Sequence, residues 1–312
     1  MLPFLPHLRQ LKMTSFDDAT THTLVNYLHH SNISQLTLWA DPEPEDEDDD
    51  PPQPRLTNFY VWRLTQWIAN KPVRALDLAM FNICANKVLM KTFYDTVFTR
   101  LQHYGHSSMP LTGFETYAFA RPLLVMSLNM SPAGLNSSTL TMLGAGLLNS
   151  NVTTLDLSCN KIDRSGVSAL AQVLTSTKIR KLSMRNVGLE DIGCATLATV
   201  LPRTQIQVLT LTDNKITHVG ACALAFHVIR CALLTTLHVT VDEVGLVGTT
   251  ALIEGLGSRA DAVMSTLCIF NKNRTKSDEA HLTDLAAQFP NIGKCFFKSM
   301  AFLTWTYVRE YL

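Results

Sequence analysis

The sequence predicts an α/β solenoid, a curved stack of strand–helix units. Two observations support this prediction. An apolar residue is followed three residues later by a second and two residues after that by a third, in nine rows along the chain. Glycines also recur eleven residues after four successive central residues, at Gly166, Gly193, Gly220 and Gly248, and helical spacing of Ala and Leu follows each one. Because such a unit cannot bury its apolar face alone, about nine units must stack.

The rows define the strands of a parallel sheet. They read Leu8/Leu11/Met13, Ile33/Leu36/Leu38, Val73/Leu76/Leu78, Leu123/Met126/Leu128, Val152/Leu155/Leu157, Ile179/Leu182/Met184, Ile206/Leu209/Leu211, Leu234/Leu237/Val239 and Met264/Leu267/Ile269. From Met126 onward the central residues are 27–30 positions apart, which leaves room for one helix per unit. Strands stack at about 4.8 Å whereas helices need about 10 Å. The strands are therefore expected on the concave side and the helices on the convex side.

The segment Val152-Thr-Thr-Leu-Asp-Leu-Ser-Cys-Asn-Lys-Ile162 matches L-x-x-L-x-L-x-x-N-x-L, and Ile206 to Ile216 repeats it. On these residues the chain resembles the ribonuclease-inhibitor type of leucine-rich repeat protein over about residues 120–275. The resemblance implies a curved leucine-rich-repeat solenoid, or horseshoe, with a full helix in each unit. It also implies that Asn160 and Asn214 lie in the turn after the strand and pair with backbone groups. It implies protein binding without naming the partner.

The interpretation of the whole chain is a single domain over 1–312. Irregular repeats occupy 1–122, with an acidic loop at 41–54 and an insertion at 103–122; regular repeats occupy 123–290 and a cap occupies 291–312. The loop contains eight acidic residues and no apolar side chain, so it cannot fold alone. It could act as a solvated spacer, lie against the basic remainder of the chain, or reach a basic partner. The N-terminal end is covered either by residues 1–6 or by another surface.

Helical spacing predicts helices from about Asn86 to Gln102 and from Asp278 to Phe289, and a second terminal helical stretch from Cys295 to Leu312. The insertion contains Phe114, Tyr117 and Phe119. These aromatic side chains either cover the flank of the repeats, which is the preferred interpretation, or form a partner-binding plug.

Composition narrows the class of protein. The chain has 26 basic and 26 acidic residues, so without the acidic loop it carries an excess of eight positive charges. It has no apolar run long enough to span a membrane, no basic leader at its start, and an odd set of seven cysteines. We expect free, buried thiols and a cytoplasmic or nuclear location. The sequence contains no basic stripe with interleaved aromatic residues, so it does not favour nucleic acid binding.

The pattern contains no spacing typical of catalysis, a cofactor or a metal site: Cys222, His227 and Cys231 share a helix but not a face. The function predicted is therefore non-catalytic binding of a protein partner on the concave face, with a monomer expected. Side chains one and three positions after each central residue point to that face. The candidate contact residues are Trp39, Asp77, Asn129, Asp156, Ser158, Arg185, Thr212, His238 and Phe270. The alternative is a GTPase-activating protein of the Ran-activator type, which is a class within the resembling group.

Overall fold

The computed structural model describes residues 5–14, 17–40, 54–242, 246–259, 263–271 and 274–298. The chain divides into two compact units, Met1–Asn160 and Lys161–Leu312. Each unit alternates strands and helices, and within each the strands of the main sheet are parallel and follow one another in chain order without closing. The predicted fold class, a parallel sheet of stacked strand–helix repeats, is confirmed.

The described part of the first unit contains six parallel strands, a small two-stranded sheet and four helices. The main strands are β1 (Gln10–Thr14), β2 (Gln35–Trp39), β4 (Ala75–Ala79), β6 (His103–Ser107), β7 (Ser127–Asn129) and β8 (Thr154–Asp156). The small sheet pairs β3 (Arg55–Leu56) with β5 (Asn82–Ile83). The helices are α1 (Asp18–Leu28), α2 (Asn58–Asn70), α3 (Lys87–Arg100) and α4 (Ser137–Leu147), with a 3-10 turn at Phe114–Thr116.

The second unit contains five parallel strands and five helices within the described ranges. The strands are β9 (Lys181–Ser183), β10 (Val208–Ile216), β11 (Thr236–Val241), β12 (Met264–Phe270) and β13 (Ile292–Lys298). The helices are α5 (Arg164–Leu174), α6 (Glu190–Val200), α7 (His218–Val228), α8 (Val247–Gly257) and α9 (Lys276–Ala287), with a 3-10 turn at Leu201–Arg203. None of the described helices combines the length and apolar character needed to cross a membrane.

The central residues of the strands stack in register and form the core. In the first unit the column reads Leu11, Leu36, Leu76, Tyr104, Leu128 and Leu155. In the second it reads Leu182, Leu209, Leu237, Leu267 and Cys295. Between Leu36 and Leu267 every member is at most 1% exposed. Burial of these columns against the helices is the main stabilising contribution in each unit.

The count of about nine repeats is too low, because the described residues already form eleven main strands. The first additional strand is β6, which lies inside the segment interpreted as an insertion at 103–122. Its core row is Leu101/Tyr104/His106, each at most 1% exposed. The spacing is that of the other rows, but a tyrosine and a histidine replace the aliphatic residues. The segment between Leu76 and the following predicted row therefore contains a complete strand. It was not recognised because its core residues are not all aliphatic.

The neighbouring strand β7 corrects the fourth row. Leu128, and not Met126, is the central residue, because Leu128 aligns with Tyr104 and with Leu155. Val125 and Met130 complete the buried row, whereas Met126 is 45% exposed. Both choices satisfy the same three-residue spacing, so the sequence alone could not distinguish them.

The second additional strand is β13, which replaces the beginning of the predicted terminal helix at Cys295–Leu312. Residues 292–298 pair with β12 in parallel. Residues 299–312 lie outside the described residues, as do residues 41–53 of the acidic loop. The single-domain interpretation of 1–312 and the cap over 291–312 stay predictions.

Side-chain caps fix the beginnings of several helices. The carboxylate of Asp163 accepts hydrogen bonds from the backbone N–H groups of Ser165 (2.8 Å) and Gly166 (3.1 Å), and α4 and α9 begin with capping boxes. Such caps pair backbone donors that have no partner within the helix. The helices predicted from Asn86 and from Asp278 are confirmed as α3 and α9.

The aromatic residues that follow β6 cover the flank of the first unit, as the preferred interpretation states. Phe114 is fully buried and Tyr117 is 4% exposed. Their rings contact Tyr94 and Phe98 of α3 at centroid distances of 5.5–6.4 Å. The hydroxyl of Tyr94 donates to the Thr112 carbonyl (3.1 Å). These rings are core residues of the unit and are not available as a plug for a partner.

The turn after the strand has a recurring backbone conformation. The residue four positions after the central residue has a positive φ of 50–65° in five repeats. These residues are Met80, Ser108, Cys159, Asn186 and Asp213. None is glycine, so each costs about 1 kcal/mol relative to a right-handed conformation. The hydrogen bonds of the turn hold this conformation. The residue types at these positions do not predict a positive φ.

Candidate functional site

In the first unit, a row of polar side chains crosses the sheet face opposite the core. Thr37, Asp77, Gly105, Asn129 and Asp156 are aligned on five neighbouring strands. The row below it, two residues earlier on each strand, contains His103 and Ser127 as neighbours. Asp77 was predicted for this face, whereas His103 was assigned to an insertion.

These side chains form a continuous hydrogen-bonded chain across four strands. The Asp77 carboxylate lies 2.6 Å from Nε2 of His103, and Nδ1 of His103 lies 2.9 Å from the Ser127 hydroxyl. The Thr37 hydroxyl donates to the second Asp77 oxygen at 3.4 Å. A neutral imidazole satisfies the chain when Nε2–H donates to Asp77 and Nδ1 accepts from Ser127. In that tautomer the chain retains the full negative charge of Asp77.

Gly105 allows this arrangement. A Cβ atom at residue 105 would overlap Oδ1 of Asp77 and crowd its carboxyl carbon. The carboxylate therefore leans across the strand that contains Gly105 and reaches His103 on the same strand, two residues earlier. Glycine inside a strand weakens packing and often marks a close approach of another group. Here the approaching group is the Asp77 side chain.

Aspartate, histidine and serine are also the residue types of a nucleophilic triad. Such chemistry needs backbone N–H donors beside the nucleophile to stabilise an oxyanion. The N–H of Ser127 donates to the Gln102 carbonyl (3.0 Å) instead. The arrangement fits recognition of a ligand better than acyl transfer.

The other candidates of the first unit differ in exposure. Trp39 is half-buried, and its indole N–H donates to the Met80 sulfur at 2.9 Å. The Asn129 side chain accepts from the Ser131 N–H (3.1 Å). Asp156 and Ser158 are buried, at 8% and 6% exposure. Asp156 closes the strand end by accepting from the Ser158 N–H (2.9 Å), and the role of these two residues as partner contacts stays a prediction.

In the second unit Arg185 forms an ion pair. Its Nε donates to Oδ2 of Asp213 at 2.7 Å, and the two side chains are 30% and 15% exposed. Charge reversal at this position is therefore expected to lower stability, because a glutamate at 185 would face the carboxylate of Asp213 in a partly desolvated position.

The remaining candidates of the second unit contribute little exposed surface. Thr212 and Phe270 are each 6% exposed. Phe270 is not at the end of the sheet, since β13 pairs beyond it. His238 is half-buried, and this burial lowers its pKa. Lys181 at the start of β9 is exposed and aligned with Val208. Sequence reasoning did not select Lys181, although its position directly before Leu182 was a usable signal.

Asn160 and Asn214 have equivalent environments in their own units. Asn160 is 2% exposed; its Oδ1 accepts from the N–H groups of Ala133 (3.0 Å) and Leu135 (2.9 Å), and its Nδ2 donates to the carbonyls of Met130 (2.7 Å) and Leu157 (2.8 Å). Asn214 is fully buried; it accepts from Val187 (2.9 Å) and Leu189 (3.3 Å) and donates to Met184 (2.6 Å). The N–H of Val187, which has no side-chain amide of its own, is thus paired by the asparagine of the next repeat.

A second set of polar turns was not recognised in the sequence. At the ends of helices the hydroxyls of Ser31, Thr177 and Thr204 donate to carbonyls three residues earlier at 2.8–2.9 Å. The shared position, five residues before each central leucine, was a signal available in the sequence. These hydroxyls close helix ends and do not form a binding site.

Other titratable groups are explained by burial. His106 is 1% exposed, and its Nδ1 lies 2.9 Å from the Tyr104 hydroxyl. Burial lowers its pKa to about 4, although contacts with the Pro110 and Met109 backbone raise it.

All seven cysteines are free thiols. Cys84 and Cys159 are exposed, so the expectation of buried thiols is wrong for them, whereas burial raises the pKa of Cys194 to about 12. Among the described residues, no three His, Cys, Asp or Glu side chains are grouped to hold a metal ion.

One comparison with known proteins, the match to a family model, agrees with the repeat fold. Residues 148–171 match the family model described as Leucine Rich repeat. No curated protein matches the chain. Among solved structures, the chain is similar to one titled "Leiomodin-1 Actin-Binding Site 2 (ABS2)", with 17% sequence identity and a TM-score of 0.34. The match covers 43% of this chain and 79% of that one.

Proposed function

We propose that this chain is a protein-interaction module that holds a partner protein on the sheet face opposite the core, without chemistry of its own. The observation that carries the proposal is the order of the polar side chains on that face. Asp77, His103 and Ser127 on three strands of the first unit are fixed by mutual hydrogen bonds. In the second unit Arg185 is fixed by Asp213. Side chains held in one conformation before binding lose little entropy when a partner docks.

The test compares charge reversal at two adjacent positions, Lys181 and Arg180. Lys181 belongs to β9 and is exposed on the proposed face, whereas Arg180 is exposed before the strand begins. Partners captured from cell lysate by the immobilised protein are identified by mass spectrometry, and the affinity of the purified partner is then measured. Lys181→Glu should weaken that affinity while Arg180→Glu retains it. Equal affinity for both variants and the native protein would contradict the use of this face.

The Ran-activator alternative makes a different demand. It requires capture of a small GTPase that depends on the bound nucleotide. Loading a captured GTPase with GDP or with a non-hydrolysable GTP analogue tests this directly. A nucleotide-independent partner leaves the interaction module as the better description.

A further inference from the structure

The first unit contains a carboxylate, that of Asp77, which forms no ion pair with a lysine or arginine of the described residues. Asp77 is 34% exposed, and its carboxylate oxygens contact the His103 ring and the Thr37 hydroxyl. The His103 ring, placed between Asp77 and Ser127, fixes one oxygen of this carboxylate. A carboxylate that has lost about two thirds of its water contact and has no lysine or arginine partner among the described residues favours a positively charged ligand.

The charges on the same face are consistent with this preference. Asp156 lies in the row of Asp77, three strands away, which places the two carboxylates at about 14 Å. Lys12 of β1 lies two strands from Asp77 on the other side, at about 10 Å, with Thr37 between them. Lys12 forms no ion pair with Asp77 among the described contacts. The space above Gly105 thus adjoins the Asp77 carboxylate, and no lysine or arginine of the described residues is paired with it.

The residues around Asp77 also hold its carboxylate in one position. Gly105 leaves the room that the Asp77 carboxylate occupies, and His103 and Thr37 hold its two oxygens. The adjacent Asn129 uses its Oδ1 within its own turn, towards the Ser131 N–H. A planar guanidinium matches a fixed carboxylate better than a compact cation, because its N–H groups can donate in parallel.

We propose that Asp77, held over Gly105 by His103, is the binding site for an arginine side chain of the partner protein. This inference rests on the proposed function, since it names the chemistry that the partner presents to the first unit. The aspartate accepts the guanidinium, and His103 and Thr37 are positioning residues that fix the carboxylate.

The experiment uses the full chain and Nα-acetyl-arginine methylamide as the probe. Binding is followed by the ring ¹⁵N signals of His103, which are assigned by their loss in His103→Gln. These signals report events at Asp77 even though the acidic residues of 41–54 also attract cations. The neutral isostere Nα-acetyl-citrulline methylamide is titrated in parallel, and zinc chloride serves as a metal probe.

The arginine derivative should shift the His103 signals to saturation, and the citrulline derivative should not. Asp77→Asn should weaken this binding by about tenfold or more, which corresponds to the loss of one charge-assisted contact. Gly105→Ala should also weaken it, because the new Cβ displaces the carboxylate without removing its charge. The matched control Asp284→Asn, on the exposed surface of α9, should retain the native affinity. Unchanged thermal midpoints exclude unfolding as the cause.

Equal shifts with the citrulline derivative, retained binding in Asp77→Asn, or saturable shifts with zinc alone would each overturn the assignment. Failure of the two proposals is distinguishable. If the arginine derivative binds at Asp77 but partner capture survives Asp77→Asn and Lys181→Glu, Asp77 binds a guanidinium that the partner does not supply, and the assignment to the partner and the proposed interaction face both fail. If capture depends on Lys181 and the arginine derivative gives no shift, the face binds a partner by other chemistry.

Discussion

Replacing Asn160 by leucine should destabilise the first unit strongly. The leucine side chain has a similar size but cannot replace the hydrogen bonds of the amide. The change leaves two backbone N–H groups, of Ala133 and Leu135, and two carbonyls, of Met130 and Leu157, without their partner. The site is 2% exposed, so water cannot replace the amide without rearrangement.

The magnitude follows from these four groups. An unsatisfied buried donor or acceptor costs about 1–3 kcal/mol. Four groups at the lower limit give about 4 kcal/mol, which is a large part of the stability of a typical domain. The neighbouring Lys161 is exposed, so Lys161→Ala should change the free energy of unfolding by less than about 0.5 kcal/mol.

The assay is urea unfolding followed by tryptophan fluorescence. Three of the four tryptophans, Trp39, Trp62 and Trp67, belong to the first unit, and Trp67 is fully buried; Trp305 is replaced by phenylalanine in every variant so that the signal reports that unit. Asn160→Leu should lower the midpoint, whereas Asn214→Leu should act on the second unit and appear mainly in circular dichroism. If Asn160→Leu and Lys161→Ala unfold at the same urea concentration, the hydrogen bonds assigned to the amide do not hold the turn.

Three further outcomes are expected. Burial lowers the pKa of His106 to about 4, so the folded state binds fewer protons than the unfolded state. The free energy of unfolding should therefore fall by about 3 kcal/mol as the pH drops from 6.5 through 4. Urea unfolding of His106→Asn should show a weaker pH dependence. Phe114→Ala should cost about 3–5 kcal/mol because Phe114 is fully buried, and a melt equal to that of Glu115→Ala would refute its core role. Replacing residues 43–52 by a Gly-Ser linker should change stability by less than about 0.5 kcal/mol, and unfolding on replacement would show a structural role.

Much of the architecture was predictable because burial imposes a short period on the sequence. Leu36, Leu155 and Leu209 lie where the three-residue spacing placed them, and each is at most 1% exposed. The helices α3 and α9 followed from helical spacing in the same way. The prediction failed at β6 and β13, where Tyr104 and Cys295 occupy leucine positions. The stacked column selects for side chains that fill its volume, and an aromatic ring or a thiol can do so.

The candidate site was predictable only in part. Asp77 was placed on the correct face because side chains alternate along a strand. Its partner His103 and the need for Gly105 depend on which residues of neighbouring strands lie side by side. Pairing register is set by the full lengths of the intervening helices and turns, and no local spacing encodes it. The ion pair between Arg185 and Asp213 was missed for the same reason.

The sequence by itself determined that this chain repeats a strand and a helix and buries one leucine-rich column, because the hydrophobic effect acts on every unit alike. Tertiary structure decided which polar side chains meet. It placed Asp77 beside His103, buried Asp156 and Phe270, and paired the N–H of Val187 with Asn214. Such contacts join residues 25 or more positions apart, and each depends on distances of about 3 Å that only the packed repeats define.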